Sequence, residues 1–154
     1  MDRAERERLI AVYEDGPRVL RDAVAAVPDD AWDHRPAADE WTPREIVHHL
    51  AYAEIVAADR LRRLLAEERP TILGYDERAF ADRLWYDRPV GVAVDTFAAV
   101  RAATAELLRR MTDADWARTG THSEAGAFTP EQWLVWYSGH AGDHADQIAR
   151  ARPA

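Results

Sequence analysis

Two stretches of this chain open in the same way. Trp41-Thr42-Pro43-Arg44-Glu45 and Phe128-Thr129-Pro130-Glu131-Gln132 each set a threonine before a proline, with Glu or Gln three residues after the threonine. A threonine hydroxyl accepts an orphan N–H of the first helical turn, and proline suits the first helical position, where its missing N–H costs nothing. The Glu or Gln reaches back to the threonine N–H and completes a capping box. Each opening therefore predicts a helix start. The helices then run without proline to about Glu67 and Arg150, where Arg69-Pro70 and Arg152-Pro153 stop them.

The rest of the chain fits around these two helices. Residues 3 to 27 carry an apolar stripe of Leu9, Val12, Tyr13, Leu20, Ala23 and Val27, with a kink or break expected at Gly16-Pro17. Residues 28 to 41 read as a loop with one short turn. A third long helix opens at Pro89 and runs to about Met111, its apolar face carried by Val94, Phe97, Val100, Leu107 and Leu108. Its charges, including Arg101, Glu106, Arg109 and Arg110, read as a solvated face. The crossover at 68–88 holds a short helix over Arg78 to Trp85, and its aromatics read as a seal on one end of the core. A short hairpin fits between Trp116 and Phe128, and no other strand is convincing. The expected fold is all-α, a four-helix bundle with a short extra helix in the helix 2–3 crossover, in one domain spanning 1–154.

Composition excludes several roles. The formal net charge is −8 and there is no basic run, which disfavours nucleic acid and anionic membranes as partners. No stretch is apolar for long enough to cross a bilayer, and the charged start does not resemble a signal peptide, so the expected location is cytoplasmic. Cysteine is absent, so any metal must use His, Asp, Glu or water, and any thiol chemistry must borrow its sulfur from a small molecule.

The histidines carry the chemistry. On the last helix Trp133, Tyr137, His140, His144 and Ile148 fall at steps of four, three, four and four, the ladder of a buried stripe. His140 and His144 stand one turn apart on that face, where a plain bundle carries Leu or Val. Buried imidazoles need partners. Those partners are either hydrogen-bonding neighbours or a metal. The second helix supplies a third histidine on its own inward stripe: Ile46, His49, Leu50, Ala53, Ala57, Leu61 and Leu64. His48 points roughly 100° away from it, toward Glu45 and Tyr52. His34 and His122 fall in polar loops and read as exposed. Three neutral imidazoles suit Zn²⁺, Ni²⁺, Fe²⁺ or Cu²⁺ and leave a coordination position open for water or a thiol. Asp143, Asp146 and Gln147 are near enough to orient the rings, although Asp143 reads as outward. Gly139 and Gly142 beside His140 suggest either close approach by a neighbouring helix or a ligand, or tight helix packing alone.

Trp41-Thr-Pro-Arg-Glu-Ile-Val-His-His49-Leu-Ala, followed by Trp136-Tyr-Ser-Gly-His140-Ala-Gly-Asp-His144-Ala-Asp-Gln-Ile, resembles the DinB-like superfamily, and within it the YfiT-like branch. Arg69-Pro70 and Tyr75-Asp76-Glu77 are similar to that branch as well. The resemblance covers nearly the whole chain. It implies a four-helix bundle, often dimeric, with one divalent transition metal, zinc or nickel, held by His49, His140 and His144. It further implies a metal-dependent transferase that gives a low-molecular-weight thiol, of the bacillithiol or mycothiol type, to a small electrophile in detoxification or stress. A hydrolase on the same three histidines and a non-catalytic metal-binding stress protein are the alternatives.

Overall fold

The structure is a computed structural model that describes residues 1–153. Both threonine openings act as their sequences predict. Glu45 N–H donates to the Thr42 hydroxyl at 3.2 Å, and Thr42 N–H donates to the Glu45 carboxylate at 2.8 Å. The same reciprocal pair joins Thr129 and Gln132. These caps start α2 (Pro43–Ala66) and α6 (Pro130–Ser138). The other helices are α1 (Arg3–Ala25), α3 (Glu77–Arg83), α4 (Gly91–Leu108), α5 (Asp113–Trp116) and α7 (His140–Arg150). Here α6 and α7 replace the single last helix expected. Gly139 interrupts it by one residue, and both Gly142 and Asp143 donate their N–H to the Gly139 carbonyl.

Four rods make the bundle: α1, α2, α4 and the α6–α7 pair. Each of α1 and α2 packs against α4 and against α6–α7, so the two helices nearest the N-terminus face each other across the bundle. The core lies in two apolar halves. One gathers Ile10, Tyr13, Leu61, Leu64, Leu108, Phe128 and Trp133; the other gathers Leu20, Ile46, Leu50, Phe97, Ala141 and Ile148.

Between the halves lies a buried ion pair. Arg101 and Glu54 are both fully buried, and the guanidinium donates to the carboxylate at 2.8 and 3.0 Å. Arg101 thus corrects the expectation of a solvated residue. It lies four residues after Phe97 and seven before Leu108, on the inward side of α4. Desolvating two charges is expensive, and good geometry with further hydrogen bonds must offset it. Here the Tyr13 hydroxyl also donates to Glu54, and Arg101 donates to the Tyr13 and Tyr137 carbonyls, each at 3.2 Å.

This pair also explains why α1 runs through Gly16-Pro17 without a break. Proline has no N–H to give the carbonyl four residues back, and that carbonyl is Tyr13. Arg101 supplies the missing donor. Gly16 makes the space, since a Cβ there would lie 2.0 Å from the guanidinium. The freed Tyr137 carbonyl sits just before the Gly139 interruption and is satisfied by the same arginine.

The expected hairpin is present as β2 (Gly120–His122) and β3 (Gly126–Phe128), turned at Gly126 with φ +76°. A further strand, β1 (Thr71–Ile72), pairs parallel to β2 and extends the sheet into the crossover. Strands of two and three residues are too short for alternation to show in a sequence. Among the described residues no helix is long and apolar enough to cross a membrane.

Candidate metal centre

His49 lies in the second turn of α2, and His140 and His144 occupy the first two turns of α7. The structure brings these three histidines together. One ring nitrogen from each lies within 4.8 Å of the others. The His140 and His144 Nε2 atoms are 3.1 Å apart. A tetrahedral ion with bonds near 2.0–2.1 Å holds its nitrogens about 3.3 Å apart, so this spacing already matches. Ring centroids of His49 lie 4.8 Å from His144 and 5.6 Å from His140. Trp41, the residue before the α2 cap, packs on His49 at 4.5 Å.

The protonation states suit a metal. Burial, with His144 nearby, pushes His49 down to about 3. His140 is also pushed down to about 3, by burial first and then by His144, His49 and Arg101. His144 is lowered by burial, against the Gln147 hydrogen bond and the Asp143 charge. All three rings are neutral at pH 7, so no proton has to leave before a metal binds. The Gln147 amide oxygen lies 2.7 Å from His144 Nδ1, which places the proton on Nδ1 and leaves the Nε2 lone pair facing His140. His140 Nδ1 is buried with no partner. Two imidazole nitrogens that face each other, beside a third ring and an orphaned nitrogen, fit a bound cation.

The other histidines divide as follows. His34 is exposed, as expected. His48 corrects the expectation of a polar flank: it is only 3% exposed, beside 2% for His49. The crossover folds back over that side of α2. His48 Nε2 donates to the Arg88 carbonyl at 3.0 Å, and the ring stacks on Tyr86. His122 is also buried, not exposed, against Phe128 and Trp136. Of the crossover aromatics, Tyr86 is sealed in, whereas Trp85 is 71% exposed. Neither a neighbouring helix nor tight packing accounts for the glycines. A Cβ at Gly142 would meet nothing within 4 Å, and one at Gly139 only the Asp143 carboxylate at 3.9 Å.

His140 also walls a cavity of about 340 Å³ shared with Arg60, Tyr75, Glu77, His122, Trp136 and Tyr137. That is at the small end of the range for small-molecule sites. The sequence reading did not single out Arg60, Glu77 or Glu54 as functional. Glu54 was findable, because it sits four residues after Leu50 and seven before Leu61 on the inward side of α2. Arg60 and Glu77 converge only through the crossover, which periodicity does not place.

Comparison with known proteins agrees with this geometry. The sequence model of the DinB superfamily matches residues 13–148. YfiT of Bacillus subtilis is 29% identical over 157 residues, covering 97% of this chain and 87% of that protein. A protein of Oceanobacillus iheyensis, provisionally named a metal-dependent hydrolase, is 30% identical over 135 residues, covering 88% and 78%. The solved structure of B. subtilis YfiT superposes with a TM-score of 0.91 at 27% identity, covering 98% of this chain and 87% of that one. It is described as a probable metal-dependent hydrolase with an unusual four-helix bundle topology.

Proposed function

We propose, from the premise that this chain belongs to the DinB superfamily, that His49, His140 and His144 hold one divalent transition metal, zinc or nickel, at the end of a small-molecule pocket. The observation that carries this is the convergence of three neutral imidazoles from two helices beside a cavity. The protein is then a metal-dependent enzyme that presents a low-molecular-weight thiol to a small electrophile. When bound, the metal supplies Lewis acidity that stabilises a thiolate, or hydroxide, at neutral pH. The chain's own residues do the rest. Gln147 fixes the His144 tautomer, Trp41 holds the His49 ring, and the absence of cysteine leaves the sulfur to the small molecule.

One observation favours a second reading, the hydrolysis named for YfiT. Glu77 walls the same cavity, and burial raises its carboxyl, with Arg60 opposing. A carboxylate placed there can accept a proton from an attacking water.

The test separates the two. Zinc- and nickel-loaded protein is assayed on a panel of halide and epoxide electrophiles with and without thiol, and on activated esters without thiol. Thiol-dependent turnover, with a visible spectral change when thiol is added to cobalt-loaded protein, is expected. Ester turnover that ignores thiol and falls in Glu77→Gln would establish the hydrolase. Stoichiometric metal with neither turnover would leave a metal-binding protein without catalysis.

A further inference from the structure

The cavity beside His140 contains a buried cation that forms no ion pair. Arg60 is 7% exposed. Its Nη1 donates to the Tyr137 hydroxyl at 2.6 Å and its Nη2 to the Leu73 carbonyl at 2.7 Å. Its Nε is buried with no acceptor. Among the described residues no carboxylate forms an ion pair with it. The contrast with Arg101 is direct: the other buried guanidinium holds its carboxylate at 2.8 Å and two carbonyls besides. A buried charge left without an ion-pair partner is costly.

A second donor in the same cavity is also unpaired. His122 is 4% exposed, and its Nδ1 accepts the Glu124 N–H at 3.2 Å. That bond leaves the ring proton on Nε2, and Nε2 is buried with no acceptor. Burial and the nearby Arg60 both lower the His122 pKa, so the ring is a neutral donor at pH 7. The Tyr137 hydroxyl is a third: it accepts from Arg60, and its own proton has no acceptor among the described residues. The walls between these donors are aromatic. Tyr75 lies under the Arg60 guanidinium at 5.8 Å, and the half-exposed Trp136 meets His122 edge-on at 5.6 Å.

We infer that this cavity binds the carboxylate of a small organic monoanion, with Arg60 and His122 as its donors and Tyr75 and Trp136 against its apolar body. Three donors without acceptors require an acceptor, and a desolvated guanidinium requires a negative one. Two further carboxylates, Glu77 and Glu124, wall the cavity without bonding Arg60. They limit the charge it accepts, so a singly charged carboxylate is preferred over a phosphate dianion. Carboxylate binding stands on these donors alone. That the bound molecule is the substrate, held by this handle beside His140, rests on the proposed function.

The test is calorimetric titration of sodium benzoate, and of phenyl phosphate at pH 8, into chelator-treated and metal-loaded protein. Saturable benzoate binding at one per chain is expected in both forms. Arg60→Met weakens it by about tenfold or more, the scale of a lost charge-assisted hydrogen bond, and His122→Phe weakens it by a smaller factor. Phenyl phosphate binds less tightly than benzoate. No saturable benzoate binding, or unchanged affinity in both variants, overturns the inference, and a preference for phenyl phosphate overturns the monoanion assignment. If circular dichroism shows that Arg60→Met does not fold, His122→Phe decides. Benzoate binding that appears only with metal, and ignores both variants, would place the carboxylate on the metal and leave the proposed function standing. Benzoate binding in a protein that takes up no metal would do the reverse.

Discussion

Acidifying the metal-free protein should destabilise it well before its lowered carboxylates titrate. His49 and His140 each fall from an ordinary 6.5 to about 3 in the folded state. The unfolded chain therefore binds more protons between these values, and stability falls as pH falls through that window. At pH 5 an unfolded histidine is mostly charged while the folded one is still neutral. The difference is about 2 kcal/mol for each ring and about 4 kcal/mol for the pair, relative to pH 8. Against a typical total of roughly 5–15 kcal/mol this is a large share. Carboxylates with lowered values, such as Asp33 and Glu14, lose their contribution only below about pH 4.5, so the window is clear of them. His48 and His122 are also lowered and add to the same slope. The assay is urea denaturation of chelator-treated protein at pH 8 and pH 5, for wild type and for His49→Gln with His140→Gln. Wild type should lose at least about 4 kcal/mol, and the double variant should lose about 4 kcal/mol less than wild type. Equal losses in the two proteins would show that these rings are not neutral by burial, and the account of a prepared metal site would fail.

Other outcomes follow from the same geometry. Gln147→Leu should lower metal affinity about 10- to 100-fold, measured by competition with a chromogenic chelator, because the His144 tautomer loses its orienting partner. Arg101→Met should destabilise the fold by about 3–5 kcal/mol in urea, since it leaves a fully buried Glu54 charge unpaired. Pairing it with Glu54→Gln should recover part of that loss, and no recovery would mean that the carbonyl contacts, not the charge, dominate. Gly16→Ala should also destabilise the protein, because its methyl would occupy the space of the guanidinium.

The legible parts of this molecule are those written in short-range chemistry. The Thr42 and Thr129 caps set two helix starts, and the ladders through His49 and through His140 and His144 placed three imidazoles on inward stripes, while their meeting depended on helix direction and stagger. What stayed hidden depended on long-range contacts. Pro17 normally signals a break, and only an arginine from α4 explains why α1 continues. Arg101 looked like a surface charge because its partners lie 36, 47 and 88 residues away in sequence. His48 and His122 became buried because the crossover and a sheet of very short strands cover them. Arg101 and Glu54 did sit on the right periodicity to be read as inward, had charged residues been allowed in the core.

Metal content tests the three-histidine site directly. Untagged protein is purified, reconstituted with zinc or nickel, desalted and measured by elemental mass spectrometry alongside alanine variants. About one metal per chain is expected in wild type and in His48→Ala, whose ring is committed to the Arg88 carbonyl. Strong loss is expected in His49→Ala, His140→Ala and His144→Ala. Metal retained in all three variants, or absent from reconstituted wild type, would mean that these histidines do not form a metal site.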